Sequence, residues 1–388
     1  MSVAAPPPSN VAPAVRLFLC GDVMIGRGVD QILPSPCPPK LYEEYVSSAE
    51  DYVRLAEAAS GPIPRPVDYS YVWGVALAEL EAHAPDARIV NLETSVTRSE
   101  AAEPKAINYR VSPQNAECLR VAGFDCCALA NNHVLDWGPS GLLETLDMLE
   151  RLGIAVTGAG RALGEAQRPA IIEIPSKGRR VVVLSFALPD SGTPLEWAAT
   201  PSSPGVNLLR DLSPACVDFA CNLARSAAQS GDILVISIHW GSNWGYGVST
   251  AQRQFAHRLI EDAGASVIHG HSSHHAKGFE VHRNRLVLYG CGDFLNDYEG
   301  ISGYESFRGD LSLMYFADID TNGDLAQLRL VPLHMRRLRL ERASTADAEW
   351  LAQTLDRESA AFGVRVRRQP DGALSASWSG GESAPRRP

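Results

Sequence analysis

The chain has no apolar run approaching the roughly 20 residues that a membrane-spanning helix needs. Its opening stretch, Met1 to Ala14, is rich in proline and alanine and carries no charged side chain. It therefore lacks the basic start and unbroken apolar core of a secretion signal. These two absences lead us to expect a cytoplasmic protein that does not engage a membrane. Positive charge is also short: 35 Lys and Arg stand against 45 Asp and Glu, a formal charge of −10. That balance argues against a nucleic-acid partner held by bulk electrostatics, although it leaves room for a local basic pocket. No Cys-x-x-Cys pair occurs among the eight cysteines. Cys126 and Cys127 are neighbours, too close for a relaxed disulfide, and Cys20 and Cys291 lie inside apolar runs. Buried, reduced thiols are the expectation. There is no internal repeat.

What is present is a 388-residue chain with 45% hydrophobic residues, enough to bury a large α/β core. Residues 1–14 read as a disordered arm, 15–340 as the main domain, 341–368 as a C-terminal helix and strand, and 369–388 as a flexible tail. Apolar periodicity predicts helices over 41–60, 69–84, 113–122, 138–152, 213–229, 250–263 and 346–362. Ser112 would cap the third of these, with Pro113 at its first position. Residues 192–207 read as a long irregular loop. Strands 311–318 and 325–333 flank a hairpin turn at 320–324. Helices and strands alternate to about residue 270, and strand-rich sequence follows. That order fits one sheet built by crossovers and a second sheet packed beside it.

The chemistry gathers at the ends of short apolar runs. Leu17-Phe18-Leu19-Cys20 stops at Gly21-Asp22. Arg88-Ile89-Val90 ends in Asn91-Leu92-Glu93, and Cys127-Ala128-Leu129-Ala130 in Asn131-Asn132-His133. Leu234 to Ile238 ends in His239, and Ala265 to Ile268 leads into His269-Gly270-His271-Ser272-Ser273-His274. Open α/β sheets place ligands at the carboxyl ends of their strands. Each fragment alone has a plain structural explanation as a turn, a cap or a core histidine. Taken together, in order, they point to a shared metal or catalytic centre. Carboxylate, amide oxygen and imidazole suit a divalent first-row metal, with Ca²⁺ an alternative if oxygens dominate.

The same residues carry a family resemblance. The chain resembles the CapA family, named for poly-γ-glutamate capsule synthesis, within the calcineurin-like metallophosphoesterase superfamily. The matching motifs are Gly21-Asp22-Val23-Met24-Ile25-Gly26-Arg27, Asn91-Leu92-Glu93-Thr94, Ala130 to Gly138, Gly158-Ala159-Gly160, His239-Trp240-Gly241, Gly270 to His274 and Leu288 to Leu295. The resemblance implies a four-layer αββα sandwich with metal at the strand ends. It implies metal-site roles for Asp22, Glu93, Asn132, His239, His271 and His274, with His133 as a catalytic or supporting histidine. Two departures stand out. The D-x-H opening of superfamily phosphatases is here Asp22-Val23-Met24, so one ligand is missing. The family's Gly-Asn-Phe is here Gly292-Asp293-Phe294, which adds a carboxylate.

Some soluble relatives in this family are peptide epimerases, and the chain looks like the lasso-peptide tryptophan epimerase branch. The chemistry that branch implies is removal and return of an α-proton. A metal on the neighbouring carbonyl would stabilise the enolate, and one group on each face of the α-carbon would move the proton. His271 and Asp293 are the candidates for the two faces, with Asp22 and His133 in reserve. Arg27 is a candidate for holding a substrate carboxylate, and Asn91 for a further substrate contact. Trp197, Trp240, Trp244 and Tyr246 are candidates for an aromatic pocket. The expected cofactor is a divalent ion (Mn, Zn, Fe or Ca) with no organic cofactor. The expected partner is a precursor peptide, with a leader-binding protein alongside it. A metallophosphoesterase and a component of poly-γ-glutamate synthesis are the alternatives.

Overall fold

Successive side chains of the strand Val15–Val23 go to opposite sides, as the twofold repeat of a strand requires. Leu17 and Leu19 enter one apolar cluster, and Phe18 and Cys20 another. That division organises the molecule, a computed structural model that describes residues 14–379.

Val15–Val23 lies in the middle of a ten-stranded mixed sheet. On one side it pairs in parallel with Ala87–Leu92, followed by Cys126–Ala128 and Ala155–Thr157. On the other it pairs antiparallel with Leu311–Ile319, followed by Leu325–Met335, Leu374–Trp378 and Val364–Arg368. A six-stranded sheet runs Phe279–His282, Arg285–Leu288, Val267–His271, Ile233–His239, Arg179–Ala187, Ala170–Ile174. Its middle strands are parallel.

Both sheets contribute to one cluster, in which Leu17, Leu19 and Ile89 share a core with Val183, Val235 and Val267. Helices cover the other faces. Leu142, Leu146 and Leu149 of Gly138–Arg151 join the cluster on the large sheet. Phe255 and Leu259 of Thr250–Ala263 join the one on the small sheet. Thr250–Ala263 starts at a capping box between Ser249 and Gln252 and ends at Gly264, whose φ of 74° closes it.

Several expected elements are corrected. The 41–60 helix begins only at Ala49. Tyr45 is 90% exposed, so it is no part of an apolar face. The 69–84 helix is broken by Gly74 into a short 3₁₀ turn, Tyr71–Trp73, and the helix Ala76–His83. The 113–122 helix starts at Glu117, and the Ser112 hydroxyl donates to Gln114 instead of capping it. The tail expected from residue 369 onward contains the strand Leu374–Trp378, whose Leu374 is fully buried between the sheets. The strand Leu340–Arg342 straddles the boundary expected at residue 340. Residues 1–13 of the expected arm and 380–388 of the expected tail lie outside the described residues. All eight cysteines are free and all but Cys216 are buried.

Candidate metal centre

The first strand brings its carboxylate into place through a close backbone approach. A Cβ on Gly21 would lie 1.6 Å from the Gly292 carbonyl oxygen, so only glycine fits. With that approach made, the Asp22 N–H donates to Gly292 at 3.1 Å. Asp22 then pairs in register with Asn91 on one side and Asp293 on the other. The small sheet delivers His239 and His271 side by side at the ends of adjacent parallel strands. The sheets are tied here by His269 Nε2 donating to the Cys20 carbonyl at 2.6 Å and by Ser272 N–H donating to Asp22 Oδ2 at 3.1 Å.

Two donor groups result, and Asp22 belongs to both. Asp22, His239 and His271 place their donor atoms within 4.8 Å of one another, as do Asp22, His274 and Asp293. His239 Nδ1 and His271 Nδ1 face each other at 2.8 Å, and the Asn132 side-chain oxygen lies 3.1 Å from His239 Nε2. Glu93 stands 3.9 Å from His239 and 3.8 Å from His133. Ser237 hydrogen-bonds the far nitrogen of His271 at 2.8 Å, an outer contact of the kind that orients a ligand ring. This nitrogen and oxygen set fits a divalent cation, which Asp22, His239 and His271 would hold with Asn132 and Glu93 beside them.

The electrostatics agree with that fit. Burial, then the charge of Asp293, pushes the Asp22 carboxyl up to about 7. Burial, then Asp22, pushes Glu93 well above the carboxylate range. Burial and neighbouring imidazoles hold His239 and His271 well below the usual histidine range, so both rings are neutral, the form that binds metal. His274 goes the other way. Burial opposes its charge, but Asp293 at 2.9 Å and Asp22 outweigh that and raise it.

A histidine–carboxylate pair borders the centre. His133 Nδ1 meets Asp136 Oδ2 at 2.6 Å, and Lys105 Nζ donates to the other Asp136 oxygen at 2.7 Å and to the Asn132 carbonyl. Burial lowers His133 to about 4. Beyond His274 lies a cleft of about 660 Å³, walled by Trp244, Asn296, Tyr298, Tyr304 and Arg308.

The structure brings Asp22, Glu93, Asn132, His133, His239, His271, His274 and Asp293 into one region. Four substrate candidates are placed where they are buried or already hydrogen-bonded. Trp240 is 1% exposed, stacks on Tyr289 and donates its indole N–H to the Tyr289 carbonyl, so it is core. Asn91 spends its amide hydrogens on Asp22 at 2.7 Å and Glu93 at 3.1 Å, which makes it a bridge between carboxylates. Arg27 is buried, with its guanidinium held by Asp297 and Glu43. It touches the cleft without a free fork. Trp197 is also buried, under Lys105. Trp244 does face the cleft, stacked on Tyr304 at 4.1 Å, and Tyr246 packs behind it on His275 and Phe307.

Residues 16–298 match the family described as bacterial capsule synthesis protein PGA_cap. The chain belongs to this family. Among its relatives, a probable polyglutamine synthesis accessory protein of Mycobacterium tuberculosis is 48% identical over 365 residues, 93% of this chain and 95% of that one. The PGA biosynthesis protein CapA of Bacillus subtilis is 26% identical over 280 residues, 71% of this chain and 62% of its own. The capsule biosynthesis protein CapA of Bacillus anthracis is 24% identical over 326 residues, covering 83% and 68%.

Sequence reasoning gave no role to Asp136, Lys105, Asn131 or Tyr298 of this PGA_cap chain. Asp136 carried a usable signal, since it follows His133 by three residues in a turn and so faces it. Asn131 joins the turn to the neighbouring strand by donating to Asn91 at 3.0 Å. Lys105 comes from a polar loop distant in sequence and carried no signal.

Proposed function

We propose that this PGA_cap protein is a metal-dependent accessory enzyme of poly-γ-glutamate-type polymer synthesis, built on the calcineurin-like metallophosphoesterase arrangement. The observation that carries the reading is a buried aspartate, Asp22, common to two donor groups, one of which reaches a substrate-sized cleft through His274. The names of the relatives support polymer synthesis as its setting. A bound divalent ion would supply Lewis-acid polarisation of a γ-amide carbonyl of the polymer, at which water adds and the amide C–N bond breaks, so that the chain is trimmed. His133, oriented by Asp136, takes or returns a proton. His274, held by Asp293, does the same from the cleft side. Trp244 and Tyr304 give the chain an apolar wall to lie against.

A second reading is inversion of an α-carbon, with a lasso-peptide precursor as substrate and tryptophan as its target. It is favoured by the two histidine–carboxylate pairs beside the centre, His133 with Asp136 and His274 with Asp293, the charge of His274 being felt at His133. A two-base inversion needs two such groups, one for each face. The names of the relatives concern polymer synthesis and give this branch no support. A generic phosphoesterase is the weakest reading, because Val23-Met24 replaces the D-x-H histidine.

One assay series separates the three. Mn²⁺-loaded protein is incubated in D₂O with poly-γ-glutamate, with candidate precursor peptides and with an aryl phosphate. Chain shortening that Asp22→Asn abolishes supports the first reading. Deuterium at a peptide α-carbon without cleavage moves the assignment to epimerisation. Phosphate release alone moves it to phosphoesterase, and inertness towards all three overturns an enzymatic role.

A further inference from the structure

A second cluster of metal-binding side chains lies away from the strand ends. His257, Glu280 and His282 place donor atoms within 4.8 Å of one another. His257 comes from the outer helix Thr250–Ala263, while Glu280 and His282 come from the edge strand Phe279–His282. This strand runs antiparallel to its neighbour, and His282 pairs with Arg285 at the start of Arg285–Leu288. Arg285–Leu288 runs parallel to Val267–His271, which reaches the Asp22 centre with its carboxyl end. The cluster therefore sits toward the opposite end of the sheet from that centre.

The local spacing suits joint ligation. Glu280 and His282 are two apart on a strand and share a face. The two imidazoles stack at 3.6 Å with planes 5° apart, so the His257 ring must turn out of the stack for both lone pairs to meet one ion. Glu261, one helical turn after His257, accepts from His282 Nε2 at 2.8 Å and orients that ring. Glu280 is fixed from behind. Its Oε2 accepts from the Tyr289 hydroxyl at 2.7 Å, and Arg253 contacts both oxygens. Burial works against its charge, but Arg253, Tyr289 and His257 hold it below the usual carboxylate range. On Oε1 the remaining contact is His257 Nε2 at 3.1 Å. A cation between these two atoms would replace that hydrogen bond and leave the others intact.

We propose that His257, Glu280 and His282 form a divalent-cation site, distinct from the Asp22 centre, that clamps the helix Thr250–Ala263 to the edge strand. Glu261 and Glu280 are balanced by Arg253 and Arg283. Binding strength must then come from the imidazoles. That selects a zinc-like ion over Ca²⁺ or Mg²⁺, which prefer oxygen-rich sets.

Zn²⁺ titration of the metal-free full-length protein, followed by calorimetry, tests this. Asp22→Asn/His239→Ala is expected to keep one zinc equivalent, which His257→Ala/His282→Ala loses. Mg²⁺ is expected not to displace it. Should the double histidine variant misfold, His282→Gln is titrated with Co²⁺ and its visible absorption followed. At least a tenfold loss of affinity is expected, since even orienting partners change metal affinity about 10–100-fold. Wild-type stoichiometry in the double variant, unchanged Co²⁺ affinity in His282→Gln, or no zinc beyond that lost with Asp22 and His239, overturns the site. None of these readouts depends on the reaction at the Asp22 centre.

Discussion

Asp22 and Asp293 stand opposite each other in a parallel strand pairing, both buried, with His274 bound to Asp293. Burial first, and then the charge of Asp293, pushes the Asp22 carboxyl up to about 7. A cation held between them would offset that repulsion, with Asp293 and His274 as its further ligands beside Asp22.

Metal uptake should therefore depend on pH through the carboxylates. His239 and His271 are already neutral, so the proton displaced on binding comes from Asp22, Glu93 or His274. We expect Mn²⁺ affinity to rise from pH 6 to pH 8, with proton release read by calorimetry in buffers of different ionisation enthalpy. In metal-free protein the sign reverses for stability. The folded pKa of Asp22 lies above its ordinary 3.8, so its contribution falls as pH rises from about 4 to about 7. Asp22→Asn should gain Tm relative to wild type across that window, by roughly 2 °C or more.

Gly21→Ala should destroy the centre. Its Cβ would meet a backbone oxygen at 1.6 Å, and backbone in a central strand cannot swing aside. We expect insoluble protein or loss of bound metal. Gly164→Ala, with nothing within 4 Å, serves as the control and should stay within about 0.5 kcal/mol of wild type in urea unfolding.

Trp240 and Trp244 should separate stability from binding. Trp240→Ala empties a packed site between Phe255 and Tyr289 and should cost about 3–5 kcal/mol in urea unfolding. Trp244→Ala is expected to unfold near the wild-type midpoint while raising KM for the substrate of the Asp22 centre.

How much of this was legible in the sequence follows from which forces are local. The apolar runs and the residues that end them identify the strand mouths, because alternation and strand termination are written in adjacent positions. Trp240 shows the limit. It follows His239 directly, yet the chain reverses side at each residue, so a neighbour of a site residue points into the core. Arg27 shows another limit. Its partner Asp297 is 270 positions away, and no local pattern says that its guanidinium is already occupied. The strand Leu374–Trp378 looked like polar tail because its apolar alternation, Leu374, Ala376 and Trp378, is only five residues long and lies among serines and other polar residues. Its place in the sheet is set by pairing with Leu325–Met335, not by its own composition.

Arg27 and Asp297 form a buried pair, and the Gly28 N–H also donates to that carboxylate at 2.9 Å. Removing one partner strands the other charge in the core. Asp297→Asn should therefore cost about 3–5 kcal/mol in urea unfolding. If Arg27 instead held substrate directly, Arg27→Gln would raise KM with little loss of stability. We expect the reverse, a large loss of stability with KM changed little in the protein that remains folded.

His133 should act as a proton carrier rather than as a structural ring. It is neutral above about pH 4, mainly through burial, and Lys105 nearby also holds it down against the pull of Asp136. His133→Ala is expected to lower turnover about 10²–10⁴-fold with metal content unchanged. Lys105→Met removes a positive charge and should raise the His133 pKa, moving the acid limb of the kcat/KM profile to higher pH. A ring that only packed against Tyr109 would leave that limb where it is. The pH profile of Lys105→Met therefore distinguishes chemistry from packing even if both variants lose activity.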